Sequence, residues 1–170
     1  MWFALRVTYS RELKFQKLLQ EASFETFVPM RRKKFELNGK EFTKFVPAVS
    51  NLCFVNARKE ELDDFLKGLG EDCYARYIWD KATSSPAVIP HQAMANFMKV
   101  CAVMADDVLY INEISPKLQS GVKVRVLEGP FKGVEGVVAR IKKSRRVVVE
   151  LPGMLAVATT YVQRQYLELI

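Results

Sequence analysis

The sequence predicts an α+β protein in which an α/β sandwich with an antiparallel or mixed sheet precedes a small β-barrel. Three segments repeat apolar residues at i, i+3, i+4 and i+7, the spacing of helices that cover one face of a sheet. Short aromatic and β-branched segments alternate with them, and only short strand-like segments follow in the last third of the chain. We expect a first domain at residues 1–103, a linker at 104–118 and a second domain at 119–170.

The chain opens with a predicted strand and a predicted helix. Residues 2–9, WFALRVTY, are aromatic and β-branched, as strands are. Ser10 is a candidate N-cap, and Glu12 lies in the first turn, where the helix dipole favours an acid. The apolar stripe of this helix comprises Phe15, Leu18, Leu19 and Ala22. Arg11 and Lys14 lie off the stripe, within reach of solvent or a polyanion.

A basic hairpin follows. Asn38-Gly39 between apolar residues is the strongest short-range signal for a two-residue hairpin turn. The two arms carry six cations: Arg31, Arg32, Lys33, Lys34, Lys40 and Lys44. Two interpretations stay open, a hairpin that contacts the DNA backbone and a solvated edge hairpin whose lysines discourage aggregation.

The remainder of the first domain continues the alternation. Residues 51–56 are predicted as a short buried strand, and a helix with Leu62, Phe65, Leu66 and Leu69 inward comes next. Residues 73–79 are predicted as another strand. Pro90 then precedes a third helix with a core stripe of Met94, Phe97, Met98 and Cys101. Residues 104–120 lack a clear period, which indicates a linker.

The most informative segment of the second domain is residues 121–138, GVKVRVLEGPFKGVEGVV. Valines alternate with cations up to Val126, as in a half-buried strand. Gly129, Pro130, Gly133 and Gly136 then stop both helix and strand around Phe131. This pattern predicts two strands joined by a shaped corner, and short strands are expected at 137–142, 146–151 and 154–160. An ordinary glycine-rich hairpin in a small barrel explains the same pattern.

Charge and composition are compatible with a protein that binds a polyanion and equally with a surface charged for solubility. The net charge is +7, and residues 117–170 carry ten Lys and Arg against four acids, whereas residues 1–116 carry 16 against 15. A basic segment of this kind suits nucleic acid, an acidic protein face or simple solubility. We find neither a membrane-spanning run nor a secretion-signal pattern, and therefore expect a cytoplasmic protein with no membrane partner.

The residue types that support catalysis are scarce. Cys53, Cys73 and Cys101 are widely spaced among apolar residues, and His91 is the single histidine. We expect buried reduced thiols, no metal site and no cofactor. No catalytic motif is present, so a binding protein is favoured over an enzyme.

The order of these features resembles the NusG family of transcription elongation factors. The C-terminal pattern resembles the KOW motif, at Gly121, Val124, Val126, Gly129, Phe131, Gly133, Gly136 and Val138. The N-terminal landmarks are Trp2-Phe3, Phe27-Val28-Pro29, residues 51–55 and Pro86-Ala87-Val88-Ile89-Pro90. The PAVIP run and the ending GMLAVATTYV most resemble the specialised UpxY-type paralogues of surface-polysaccharide operons in Bacteroides-like bacteria.

The resemblance implies a fold and a function. It implies a NusG N-terminal (NGN) domain with an antiparallel sheet, an SH3-like KOW barrel, and a monomeric elongation or antitermination factor. The first domain is expected to bind the clamp helices of RNA polymerase and to suppress pausing or termination. The matching polymerase-binding positions are Leu52 and Phe54, with Phe45 and Tyr77 as weaker matches. The expected contacts with non-template or upstream DNA are Arg11, Lys14, Arg31, Arg32, Lys33 and Lys34.

Some expectations stay open. The KOW barrel is expected to dock another protein, such as the termination factor Rho or a ribosomal protein, and suppression and recruitment of Rho are both compatible with the sequence. Leu52 and Phe54 are also interpretable as ordinary core. The Pro-Gly-Tyr that usually precedes their strand is replaced by Pro47-Ala-Val-Ser-Asn-Leu. The alternative function is a ribosome- or RNA-binding KOW protein that uses Lys142, Lys143, Arg145 and Arg146 on RNA phosphates.

Overall fold

A computed structural model describes residues 1–103, 106–112 and 121–170 of the chain. These residues form two compact units, an N-terminal unit of Met1–His91 and a C-terminal unit of Gln92–Ile170. Strands and helices alternate in the first unit and strands dominate the second, as the predicted α+β class requires. In the described ranges, every helix is too short or too polar to form a bilayer span.

The N-terminal unit is built on a five-stranded antiparallel sheet with β1 in its interior. β5 pairs with one edge of β1, and β6 and β9 pair with the other edge. β2 extends the sheet beyond β5. The strands are β1 (Trp2–Val7), β2 (Glu25–Phe27), β5 (Leu52–Asn56), β6 (Ala75–Tyr77) and β9 (Val88–Ile89).

Two short hairpins lie outside this sheet. The first joins β3 (Met30–Leu37) to β4 (Lys40–Pro47) through the predicted two-residue turn. The second joins β7 (Trp79–Asp80) to β8 (Ser85–Pro86), between β6 and β9. It presents the exposed side chain of Trp79, whereas that of Trp2 is buried in the sheet.

Two helices cover one face of the sheet. They are α1 (Glu12–Glu21) and α2 (Lys59–Gly68). The core on this face combines alternate residues of two strands with one stripe of each helix, namely Phe3, Leu5, Val7, Phe15, Leu19, Cys53, Val55 and Leu62. The helical spacing seen in the sequence therefore identified most of the inward residues. The exceptions are at the helix ends, because Ala22 is exposed beyond the end of α1 and Leu69 follows the last residue of α2.

The predicted helix cap at Ser10 is wrong. α1 begins at Glu12 and its N-cap position is Arg11, without a side-chain cap. Tyr9 and Ser10 instead have left-handed backbone angles, with φ of 61° and 51°, and form a tight turn after β1. The left-handed backbone of Ser10 differs from the extended conformation that is typical of an N-cap.

The C-terminal unit contains a six-stranded antiparallel sheet, ordered β10-β14-β13-β12-β11-β15. The expected strands are β11 (Lys123–Val126), β12 (Glu135–Ile141), β13 (Ser144–Leu151) and β14 (Leu155–Ala158). Two edge strands were not anticipated, β10 (Leu109–Ile111) within the predicted linker and β15 (Leu167–Leu169) after the last predicted strand. Residues 104, 105 and 113–120 of the predicted linker region lie outside the described residues.

The third helix, α3 (His91–Ala102), belongs to the C-terminal unit except for its first residue. The compact units therefore divide upstream of the expected domain boundary at residue 103. The helix begins directly after Pro90, and Met94, Phe97 and Cys101 of its predicted stripe are buried.

Gly136 of the predicted motif lies on β12, where the neighbouring strand leaves no space for a side chain. A Cβ on Gly136 would lie 2.4 Å from the carbonyl oxygen of Val148 on β13. Only glycine allows β12 and β13 to pack this closely.

We predict that Gly136→Ala destabilises the C-terminal sheet by about 1–3 kcal/mol, the usual cost of overpacking. Hydrogen exchange of the β12 and β13 amides measures this loss. Gly68→Ala is the matched control, because nothing lies within 4 Å of a Cβ at Gly68. Unchanged protection of β12 and β13 in the Gly136 variant would contradict the close-approach argument.

Candidate functional site

Asn51 fixes the loop that enters β5. Its backbone N–H donates to Oε1 of Glu12 over 2.9 Å, and its side-chain Oδ1 accepts the N–H of Ser10 over 3.0 Å. Its carbonyl oxygen accepts the N–H of Val7 over 3.0 Å. Its φ of 61° is left-handed, a conformation that asparagine tolerates better than most residues. Asn51 thus determines the geometry of this loop through three hydrogen bonds.

The two main predicted polymerase-binding residues lie on the sheet face opposite the α1–α2 core. Cys53 and Val55 belong to that core, so Leu52 and Phe54, which alternate with them, point the other way. Phe54 lies across from Ala4 and near Phe27, with ring centroids 6.5 Å apart. Leu52 is 4% exposed and Phe54 is fully buried. The two side chains share a face, but they are not at the surface.

The two weaker matches differ from each other. Phe45 on β4 is 55% exposed, while Tyr77 on β6 is half-buried. The hydroxyl of Tyr77 donates to Asp63 of α2 over 2.9 Å, and its ring meets Phe3 edge-on at 5.5 Å. Burial and the hydrogen bond to Asp63 raise the pKa of Tyr77. Tyr77 therefore ties α2 to the sheet, and Phe45 is the exposed aromatic of the set.

The β3–β4 hairpin has two chemically different faces. Leu37 pairs with Lys40, which leaves Asn38-Gly39 as the turn, with φ of 52° and 72°. Because side chains alternate, this register assigns every residue of the hairpin to a face. One face, called the cationic face below, carries Arg31, Lys33, Phe35, Leu37, Lys40, Phe42, Lys44 and Val46. The other carries Arg32, Lys34, Glu36, Glu41, Thr43 and Phe45.

The cationic face has no acid and a central aromatic pair. The rings of Phe35 and Phe42 stack across the strands, with centroids 5.6 Å apart. The ammonium groups of Lys33 and Lys44 lie 5.3 Å from the centroids of these two rings. Within the described part of the chain, no ion pair includes the four cations of this face. The charge is therefore available to a polyanion.

The predicted DNA-contacting residues do not form one surface. Arg31 and Lys33 lie on the cationic face, whereas Arg32 and Lys34 lie on the face that holds two glutamates. The DNA-contacting set expected from the sequence left out Lys40 and Lys44, although both lie on the same face as Lys33. The signal was present, because a two-residue turn at Asn38-Gly39 fixes the pairing of every later residue.

Arg11 and Lys14 lie at the start of α1 and are exposed. The guanidinium carbon of Arg11 lies 5.5 Å from the ring centroid of Tyr9 and 5.2 Å from that of Tyr74. These cation–π contacts hold the Arg11 side chain at the surface. Lys14 follows one turn later.

The predicted KOW residues shape the C-terminal sheet. Val124 and Phe131 are buried. The N–H of Gly133 donates to the carbonyl oxygen of Val126 over 2.7 Å, which closes the corner after β11. A Cβ on Gly121 would lie 2.1 Å from the carbonyl oxygen of Val138, while Gly129 has a left-handed φ. These residues determine geometry and offer little chemistry of their own.

One residue of the alternative RNA-binding set is excluded from the surface. Arg146 is 3% exposed, and its guanidinium donates to the carbonyl oxygens of Asp107 and Thr159 and to Oδ1 of Asp107. Arg146 therefore attaches the segment before β10 to the sheet and is unavailable to phosphates. Lys142 and Lys143 are exposed, and Arg145 is half-buried.

Groups that could hold a metal ion are missing from the described ranges, where His, Cys, Asp and Glu nowhere cluster in threes. The three thiols are free, with Cys53 and Cys101 buried and Cys73 half-buried. Burial raises the pKa of Cys53 and of Cys101 to about 12, and the nearby Glu12 carboxylate adds to the shift of Cys53.

The described residues thus combine an exposed cationic hairpin in the N-terminal unit with a C-terminal sheet that has a glycine-rich corner. A family model described as transcription termination factor NusG matches residues 1–98, more than half of the chain. The chain belongs to the NusG family. Factors of this family generally interact with RNA polymerase, and membership points to a non-enzymatic regulator of transcription elongation or antitermination.

One solved structure, described as domain interaction in Thermotoga maritima NusG, aligns with 99% of this chain and 96% of that chain. Its sequence identity is 14% and its TM-score is 0.47. No curated protein matches the chain significantly.

We predict that an alkylating reagent at pH 8 labels only Cys73 in the native protein. A thiol reacts as its thiolate, and a pKa of about 12 keeps Cys53 and Cys101 protonated as well as shielded. Mass spectrometry of labelled peptides measures the rates, and labelling in denaturant, where all three thiols should react, is the control. Labelling of native Cys53 as fast as Cys73 would contradict its burial.

Proposed function

We propose that this chain is a transcription elongation or antitermination factor that binds RNA polymerase through its N-terminal unit and suppresses pausing or termination. The family match over residues 1–98 carries this proposal, since it covers the unit that holds the sheet and the cationic hairpin. The finer parts of the proposal are action in the cytoplasm as a monomer, on surface-polysaccharide operons, with Rho or a ribosomal protein docked on the C-terminal sheet. The operon assignment rests on the UpxY-like PAVIP run and C-terminal ending, and the docked partner rests on the KOW resemblance.

The proposed polymerase contact starts from Phe45. It is the exposed member of the four predicted polymerase-binding residues, and it projects from the hairpin face opposite the cationic one. Exposed aromatic side chains are the usual anchors of a protein interface. Leu52 and Phe54 can contribute only where their buried face becomes accessible, whereas Tyr77 supports the fold.

The proposed DNA contact uses the cationic face. Its cations surround an aromatic pair on an exposed two-stranded ribbon, which suits phosphate contacts along a strand of DNA. Arg11 and Lys14 extend the positive surface proposed for the N-terminal unit. With polymerase bound on one hairpin face, the opposite face is free for upstream or non-template DNA.

In vitro transcription with purified polymerase on the leader of the protein's own operon tests the function. Addition of the protein should shorten pauses or raise read-through at a terminator. Pause lifetimes and read-through that stay unchanged at saturating protein would refute the proposal.

We predict that Phe45→Ser weakens binding to polymerase core enzyme at least tenfold, since loss of an aromatic anchor typically costs about 2 kcal/mol or more. Co-purification and fluorescence titration without DNA measure the effect. Leu37→Ser is the matched control, because Leu37 is 64% exposed on the opposite face of the same hairpin. Equal losses in the two variants would contradict a specific role for Phe45.

We predict that Lys33→Gln with Lys44→Gln weakens DNA binding. The salt slope, which is the steepness with which the logarithm of the binding constant falls with the logarithm of the salt concentration, should decrease by roughly 1.8, or about 0.9 for each lost phosphate contact on duplex DNA. Fluorescence anisotropy over a salt series measures the slope. Lys34→Gln with Arg32→Gln removes the same charge from the other face and should change binding less. A larger effect of this second pair would mean that DNA binds the face opposite the cationic one, and it would contradict the proposed DNA contact.

A further inference from the structure

The turn between β12 and β13 concentrates positive charge. Ile141 pairs with Ser144, so Lys142 and Lys143 form a two-residue turn, flanked by Arg140 and Arg145. Four cations therefore lie within six residues. Arg140 is directly opposite Arg145 across the two strands.

This arrangement is unfavourable for the fold. Lys142 and Lys143 have φ of 49° and 65°, which two-residue hairpin turns normally reserve for Asn and Gly. Like charges directly opposite each other on a sheet repel. A bound anion would relieve the repulsion, so the cluster fits a ligand better than it fits an unliganded sheet.

Three described acids of the C-terminal unit form ion pairs with other arginines. Glu135 and Glu168 pair with Arg125, and Asp107 pairs with Arg146. In the described ranges, no ion pair includes Arg140, Lys142, Lys143 or Arg145.

A cleft of about 470 Å³ lies beside the cluster, lined by Val138, Ala139, Arg140, Lys143, Arg145 and Tyr161. Tyr161 is the aromatic residue of this lining. A backbone hydrogen bond next to it fixes its position, because the N–H of the buried Val162 donates to the carbonyl oxygen of Arg145 over 3.2 Å. The adjacent Tyr161 is 56% exposed. An exposed ring and three cations thus share one small concavity.

We propose that this cleft binds a single-stranded polynucleotide, with phosphates on Arg140, Lys143 and Arg145 and one base stacked on Tyr161. Cations beside an exposed aromatic ring are the elements of a single-strand site, where the cations follow the backbone and the ring accepts a base. A duplex keeps its bases stacked inside, so a base can enter this cleft only from a single strand. An acidic peptide would use the cations and leave the ring without a role.

The site is separate from the proposed polymerase and DNA contacts, which all lie in the N-terminal unit. It also differs from the set expected from the sequence. Arg146 is withdrawn into the sheet, and Arg140 and Tyr161 take part instead. Its success or failure therefore does not depend on the proposed function.

Fluorescence anisotropy with the full chain tests the proposal. The hairpin cations Arg31, Lys33, Lys40 and Lys44 are first changed to Gln, so that the N-terminal unit contributes little. The probes are an unstructured RNA of roughly 12 nucleotides, the DNA strand of the same sequence, and a duplex of that DNA. Binding of either single strand more tightly than the duplex is expected. A duplex that binds as tightly would overturn the proposal.

The variants separate charge from stacking. Arg140→Gln with Arg145→Gln should weaken single-strand binding at least tenfold and lower the salt slope by roughly 1.4, about 0.7 for each contact. Tyr161→Ala should weaken binding about tenfold with the slope unchanged, and Tyr161→Phe should retain it, since the ring is kept. Loss of affinity in the Phe variant equal to that in the Ala variant would overturn the stacking role.

Two controls complete the design. Lys123→Gln with Lys132→Gln removes two exposed cations outside the cleft and should leave most of the affinity. A loss equal to that of the Arg140 and Arg145 pair would mean diffuse attraction and would overturn the site. Polyglutamate of the same charge should compete poorly with the RNA, and competition as effective as unlabelled RNA would assign the cleft to an acidic protein. Thermal midpoints of the Arg variants should stay equal or rise, because the repulsion is removed.

Discussion

The N-terminal unit depends on the hydrogen bonds made by Asn51. Through its N–H, its carbonyl and its side chain, this residue joins the turn after β1, the start of α1 and the entry to β5. Its partner Glu12 is buried, and Oε2 of that carboxylate has no hydrogen-bond partner among the described residues, so the interaction is retained at a cost in desolvation. Because the bonds fix where β5 begins, they also fix which face Leu52 and Phe54 occupy. A shift of one residue would exchange that face with the α1–α2 core.

Local pattern predicted much of the fold. The spacing of Phe15 and Leu19, the Asn38-Gly39 turn and the alternating valines before Gly129 each depend on near neighbours, and the structure has the corresponding helix, hairpin and strand. The edge strands β10 and β15 were missed, because an edge strand of three residues forms only against a distant partner.

The candidate site was less predictable, because burial depends on what lies across space. Arg145 and Arg146 are neighbouring arginines that the sequence alone does not distinguish. In the structure, Arg145 lines a cleft, whereas Arg146 is enclosed by Asp107 and Thr159. In the C-terminal unit, glycines determine the geometry of the corner after β11. The cations and Tyr161 of the proposed single-strand site lie instead beside the β12–β13 turn. A family motif of this kind identifies a scaffold, and its function has to be sought in the side chains that the scaffold presents.

The placement of the two tryptophans has a practical consequence for spectroscopy. Trp2 is buried and Trp79 is exposed, and both belong to the N-terminal unit. Intrinsic tryptophan emission therefore reports on that unit alone, whereas far-ultraviolet circular dichroism includes the C-terminal sheet. Coincident transitions by different probes are a criterion of two-state unfolding. In this chain, the separation between the two denaturation midpoints measures directly how independently the two units unfold.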